Sequence, residues 1–316
     1  KEKKKSGLLL STSPFADYEL KFEFKLTPET NSGIFLRTTF NPTDPSKDCY
    51  ELNLCDQKTE FPTGSLVARS KIDKPLPVSS EWQTCEVNLE GSNIKAIING
   101  KEVLNFNDTS KNLRKTGFIG LQKNEGAIEF RKIYLKPLRM STIFNGVDLA
   151  GWNVVPGSQS TFEVVDGTIH VTAEKQGYLE TEEIWGDFLF QATAKSNGDS
   201  LNSGYFFRAI KGSEKGMANG YEVQIHNGIK EGDRTKPENA GTGAIFRRTE
   251  ARRVVANDHE WFTTTLSASG PHIAVWINGY QVTDWTDTRK PDENPRKGLR
   301  LEAGHISLQG HVFFFF

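Results

Sequence analysis

Along Tyr221-Glu222-Val223-Gln224-Ile225-His226, a carboxylate, an amide and an imidazole occupy every second position. An extended chain sets alternate side chains on one face, ~6.5–7 Å apart, so Glu222, Gln224 and His226 are expected to stand in a row on a water-facing sheet surface. Such a row suits hydrogen bonding to the hydroxyls of a sugar, because it combines acceptors with donors. Earlier in the chain Glu51 and Asn53 form a similar row, with Asp56 just beyond. Trp285 follows a hairpin and either enters the core or stacks on a sugar ring. Trp82 and Trp261 each precede an alternating strand and are expected in the core. Asp56, Asp233 and Asp258 are oxygen ligands of the kind a Ca²⁺ ion uses, but EF-hand-like spacing is absent and turn formation is the favoured account. No cofactor is otherwise required.

The elements that must carry these residues are strands. In Tyr18-Glu19-Leu20-Lys21-Phe22-Glu23-Phe24-Lys25-Leu26 apolar and charged residues alternate, a period of two that makes one buried and one solvated face. Asn99-Gly100 and Asn278-Gly279 each lie between apolar runs and predict type I′ hairpins, since both residue types tolerate positive φ. Many short strands with turn punctuation and no convincing helix indicate an all-β chain of antiparallel sandwich or jelly-roll domains.

The chain also matches itself. Asn31-Ser32-Gly33-Ile34-Phe35-Leu36-Arg37 parallels Asn202-Ser203-Gly204-Tyr205-Phe206-Phe207-Arg208, and Tyr50-Glu51-Leu52-Asn53-Leu54 parallels Tyr221-Glu222-Val223-Gln224-Ile225. Trp82 and Trp261, the two Asn-Gly pairs, and Gly120-Leu121-Gln122 with Ser307-Leu308-Gln309 continue the series. The offset grows from 171 to 179 to 187, so the second copy carries two insertions, in 227–242 and 287–295, both loop-like in composition. Two tandem domains follow, 1–138 and 139–316; the first is expected to lack an opening segment that the second has in Ile143 to Trp152.

At 316 residues each half can bury its own core. Lys plus Arg (39) nearly balances Asp plus Glu (40), which argues against nucleic acid as a partner and favours a neutral or weakly charged one. No apolar run is long enough to span a bilayer. Cys49 and Cys55 would lie ~20 Å apart in an extended segment, too far for a bridge, whereas Cys55 to Cys85 is open. The basic run Lys1 to Lys5 reads as a solvated end, and Phe313 to Phe316 as either a buried last strand or an artefact.

Taken in order, the segments NSGIFLR, CYELNLCD, FPTGSLVARSK, EWQTCEV, AIINGKEV and GFIGLQ, followed by IFNGVDLAGW, NSGYFFR, NGYEVQIHN, GAIFRR, EWFTTTL, VWINGYQV and GHISLQGH, resemble the 3-keto-disaccharide hydrolase family, also called domain of unknown function 1080. The resemblance covers about Gly7 to Leu138 and Ser141 to His311. It implies a concanavalin A-like lectin/glucanase fold and cleavage of 3-keto-glycosides: a base removes the acidic C2 proton, the glycosidic oxygen is expelled, and water adds to the enone. It further implies a second-copy site of Arg208, Glu222, Gln224, His226, Arg248, Gln309 and His311, with Glu222 or His226 as base and Arg208 stabilising the oxyanion. The first copy retains Arg37, Glu51, Asn53, Asp56 and Arg69, but Lys123-Asn124-Glu125 replaces the ending that carries His311, so binding or scaffolding is its expected role. A glycoside or oligosaccharide is the expected partner and a secreted or periplasmic location the expected setting. Non-catalytic sugar binding is the alternative, and a conventional endo-glucanase a weaker one, since paired glycosidase carboxylates are not evident. Oligomeric state is not legible from these residues.

Overall fold

The computed structural model describes residues 6–311 except Asp56, Lys58, Pro75, Pro77, Val78, Glu174, Met217, Ala218 and Pro295. Asp56, Lys1 to Lys5 and Phe313 to Phe316, each read above, therefore lie outside the described residues. The chain divides into two compact units, Lys1–Ser141 and Thr142–Phe316.

In the first unit the strands are β1 (Gly7–Leu10), β2 (Tyr18–Leu26), β3 (Asn31–Thr38), β4 (Tyr50–Cys55), β5 (Gln83–Glu90), β6 (Asn93–Ile98), β7 (Lys101–Asn107), β8 (Phe118–Glu125) and β9 (Ile128–Pro137). They form two antiparallel sheets, β1-β8-β3-β4 and β7-β6-β5-β2-β9. The alternation in β2 does what its period requires: Tyr18, Leu20, Phe22, Phe24 and Leu26 are buried against Ile34, Leu36, Leu52 and Leu54 of the other sheet. A single helical turn, Pro45–Asp48, is capped by Asp44, which accepts from Ser46 N.

The second unit repeats the plan with β10 (Trp152–Val154), β11 (Ser160–Val165), β12 (Thr168–Ala173), β13 (Gly177–Thr181), β14 (Phe188–Ala194), β15 (Ser203–Ala209), β16 (Tyr221–Ile225), β17 (Phe262–Ser269), β18 (His272–Ile277), β19 (Tyr280–Thr286) and β20 (His305–Gly310). Its sheets are β10-β13-β20-β15-β16 and β14-β17-β18-β19, with β11 and β12 as a separate hairpin. Tyr205, Phe207, Tyr221, Val223 and Ile225 meet Phe190, Leu266, Ile273, Val275 and Ile277 between the sheets. Each unit is thus an antiparallel β-sandwich of the lectin-like, jelly-roll kind, as expected. Both Asn-Gly pairs turn hairpins, β6–β7 and β18–β19, with φ of 50° and 75° at Asn99 and Gly100 and 49° and 81° at Asn278 and Gly279.

Two open readings are decided and one expectation is corrected. Cys49, Cys55 and Cys85 are all free and buried; Cys55 and Cys85 sit on different sheets, so no bridge joins them. Trp261 is 55% exposed, under Lys195, and Trp82 is half-buried beneath the Arg131 guanidinium, 3.9 Å from its ring centroid. Neither is a core residue, because each stops one position short of its strand. Of the two readings of Trp285 the structure favours the core: it is partly buried against it, edge-on to Tyr221 at 6.2 Å.

Candidate active site

Because Tyr221, Val223 and Ile225 point into the sandwich, Glu222 and Gln224 emerge on the outer face of the same sheet. Register places their neighbours. Glu222 lies opposite Phe206, which lies opposite Ser307, which lies opposite Glu180. Gln224 lies opposite Gly204, and the Tyr205–Leu308 pairing brings Gly204 level with Gln309, itself opposite Tyr178.

The row exists but is not open to water. Glu222, Gln224 and His226 are only 4%, 0% and 8% exposed. The two insertions make the roof. From the first, Thr242 Oγ1 accepts the His226 amide at 2.8 Å and the Asn239 carbonyl accepts Gln224 Nε2 at 3.1 Å. Immediately after the second, Arg296 donates to Glu222 Oε2 at 2.8 Å while its guanidinium rests 4.9 Å from the Phe206 ring centroid. The water-facing surface expected from alternation is therefore corrected to a covered one.

Glu222 is the centre of this face. A Cβ at Gly204 would fall 3.1 Å from its Cγ and 3.2 Å from its Oε1, so the carboxyl lies over a position that only glycine leaves free. Burial raises its pKa; the hydrogen bond and charge of Arg296, then the charges of His311 and Arg247, pull it back without cancelling the rise. Tyr178 lies beside it, fully buried and edge-on to Phe206 at 5.2 Å. Its hydroxyl accepts from Gln309 Nε2 at 3.1 Å and Gln176 Nε2 at 2.5 Å, which leaves its own proton to be donated. Gln224 Oε1 and Gln309 Oε1 are buried with no hydrogen-bond partner among the described residues.

The remaining expected residues are placed elsewhere or act indirectly. Arg208 is 0% exposed and its guanidinium is consumed by the carbonyls of Gly186 (2.9 Å), Gly270 (2.8 Å) and Arg300 (2.8 Å) and by Asp187 (2.9 Å). Arg37 does the same with the carbonyls of Ala16, Gly91 and Arg114 and with Asp17. Both have left-handed φ, 48° and 46°, which takes the side chain out of the strand alternation and into the loops at the sheet end. They are corrected from ligand contacts to loop clamps. Arg69 holds the carbonyls of Ser46 and Cys49 and lies 4.7 Å from the Tyr50 ring centroid, away from Glu51. Arg248 donates to the Arg296 carbonyl, so it braces the segment that brings Arg296 to Glu222. Burial lowers the pKa of His226, against the charges of Glu238 and Asp258, and its Nδ1 accepts from Gly228 N at 3.2 Å. Glu51 and Asn53 repeat the positions of Glu222 and Gln224 in the first unit, 6% and 5% exposed, and Asn53 donates to the Phe61 carbonyl. Of the candidate metal ligands, Asp233 accepts from Thr235 and Asp258 from Ser196, Ser200 and Asn227; among the described residues no three His, Cys, Asp or Glu side chains cluster for a metal.

Arg296, Tyr178 and Gly204 were not singled out from the sequence. The repeated Asn-Ser-Gly was the available signal for Gly204, and the position of Arg296 at the edge of an insertion was the signal for the arginine.

A family model for the 3-keto-alpha-glucoside-1,2-lyase-like domain matches residues 1–136 and again 139–314. The chain belongs to that family. Family membership makes it a protein of glycosyl hydrolase-like or carbohydrate-binding type. Similar solved structures include a candidate glycosyl hydrolase from Parabacteroides distasonis (22% identity, 43% of this chain and 85% of that one, TM-score 0.38). They also include carbohydrate-binding module CBM66 from Bacillus subtilis (15%, 51% and 88%, 0.37) and a Bacillus subtilis protein with a galectin-like fold (17%, 41% and 76%, 0.35). No match was found among curated proteins.

Proposed function

We propose that the second unit of this 3-keto-alpha-glucoside-1,2-lyase-like protein cleaves 3-keto-glycosides by elimination, with Glu222 as the base. The observation that carries this reading is a buried carboxyl of raised pKa held beside one arginine on the outer sheet face, where the other buried carboxyl of the row, Glu180, instead accepts from Gly212 N at 2.9 Å. A 3-keto group acidifies C2–H. Glu222 takes that proton; the C–H electron pair forms the C1=C2 bond, and the C1–O bond breaks with its electrons leaving on the glycosidic oxygen. Negative charge accumulates at O3 in the transition state, where the Arg296 guanidinium supplies the cation. The Tyr178 hydroxyl, whose acceptor capacity is already filled, is the donor available to the departing oxygen. Water added at C1 completes hydrolysis. Arg296 is the gate as well as the cation, since Glu222 is covered while Arg296 keeps 27% of its side-chain surface in solvent. His226, occupied by Gly228 and roofed by the first insertion, shapes the site and takes no proton from substrate.

The test is incubation with a 3-keto-glucoside beside its unoxidised parent in D₂O. Wild type is expected to release the aglycone from the ketone alone and to place deuterium at C2 of the residual substrate. Glu222→Gln is expected to lose both activities by ~10²–10⁴-fold while remaining folded. Undiminished C2 exchange in that variant removes Glu222 as the base, and cleavage of the unoxidised sugar removes the elimination reading.

A further inference from the structure

The first unit keeps half of this arrangement. Glu51 stands opposite Phe35, which stands opposite Gly120 and then Leu10; Asn53 stands opposite Gly33, then Gln122, then Leu8. The carboxyl again leans over a glycine, since a Cβ on Gly33 would lie 3.1 Å from Glu51 Oε1 and 3.2 Å from its Cγ. Gln122 is hydrogen-bonded to Glu51, yet its own Oε1 is covered and has no partner among the described residues.

The same atom is orphaned at the matching place in the second unit, Gln309 Oε1, where the amide nitrogen is likewise used inside the protein, on Tyr178. In both units the backbone carbonyl of that glutamine is pinned by the serine of the Asn-Ser-Gly strand, Ser32 to Gln122 and Ser203 to Gln309. A covered acceptor without a donor is unfavourable wherever it occurs. Its presence twice, on a fixed backbone and beside a carboxyl, points to a donor that arrives from outside.

Among the described residues, the matching positions of the first unit carry neither the reaction's cation nor its donor. Leu8 and Leu10 occupy the positions that Tyr178 and Glu180 hold in the second unit, and Gly120 that of Ser307. Among the described residues no ion pair reaches Glu51, and no charged group figures in its environment; burial alone pushes its pKa up to about 7, against a hydrogen bond from Gln122. No charged group among the described residues there would stabilise an enolate.

We infer that this face is a second, non-catalytic site for a neutral, unoxidised pyranoside, which gives a hydroxyl proton to Gln122 Oε1 and lays an apolar ring face on Leu8 and Leu10. A uronate is disfavoured, because its carboxylate would meet another acid and an acceptor with no cation between them among the described residues. The inference does not depend on elimination in the second unit: loss of 3-keto-glucoside turnover would leave it standing, and the reverse holds too.

Calorimetric titration of the full-length Glu222→Gln chain with methyl α- and β-D-glucopyranoside, up to ~50 mM, tests it. Saturable binding of one anomer is expected, weakened about tenfold or more by adding Gln122→Leu or the milder Gln122→Met, with unchanged melting temperature in the Met variant. Methyl glucuronoside is expected to bind at least tenfold more weakly. In an otherwise wild-type chain Gln122→Met should leave 3-keto-glucoside turnover within about twofold. Absence of saturable binding, titrations indifferent to both Gln122 substitutions, or equal affinity for the uronate would each overturn the assignment.

Discussion

Glu222 and Arg296 form a partly buried pair whose two members answer differently to substitution. Arg296→Gln removes the cation while keeping a side chain over the carboxyl, so burial stays the dominant influence and the Glu222 pKa should rise further. The base must be ionised to act, so activity rises with pH through that pKa. The acid limb of the pH–rate profile is therefore expected to move upward, with a lower plateau. An unmoved limb would separate the arginine from the base. Glu51 offers the same physics without the arginine. Its pKa is raised from 4.5 to about 7 in the folded state, so its neutral form is favoured there, and the resulting stabilisation is complete below 4.5 and disappears as pH climbs through 7. Wild type is expected to lose about 3 kcal/mol or less between pH 4.5 and 8 from this group, and Glu51→Gln to lack that component of the slope. Urea titrations at pH 5 and pH 8 measure it; parallel slopes in the two proteins would contradict the burial argument.

At the level of elements, the site is a property of β15, β16 and β20 together. Register brings Glu222 of β16 over Gly204 of β15 and sets Gln309 of β20 on its far side. A methyl at Gly204 would meet the Val223 carbonyl at 2.9 Å as well as the Glu222 side chain, so Gly204→Ala is expected to displace the carboxyl rather than merely fill space. Turnover should fall at least tenfold, with a loss of about 1–3 kcal/mol in stability. A variant with wild-type kcat would show that the close approach has no catalytic role. The insertions matter for the same reason: Thr242 and Asn239 roof His226 and Gln224, while Arg248 grips the Arg296 carbonyl and so fixes the gate.

For the whole molecule, each unit buries its own core, Phe22, Leu52 and Val87 in the first and Tyr205, Val223 and Val275 in the second. Stability comes from these sandwiches and not from cross-links, since Cys49, Cys55 and Cys85 are free. Reducing agent is accordingly expected to leave the melting temperature unchanged, and a fall on reduction would reveal a bridge.

Alternation, Asn-Gly turns and the internal match were enough to specify strands, hairpins and sandwiches, because a period of two and a positive-φ turn are local properties of the chain. The same alternation placed Glu222, Gln224, Glu51 and Asn53 on one face of their sheets. It could not tell whether that face was open. Burial of the row depends on Thr242, Asn239 and Arg296, which come back over it from 16, 15 and 74 positions further along the chain. Nor could it separate Arg208 from Arg296: both are arginines near a carboxylate-bearing strand, and only the left-handed turn at Arg208 and the path of the second insertion decide which one clamps loops and which one meets the acid.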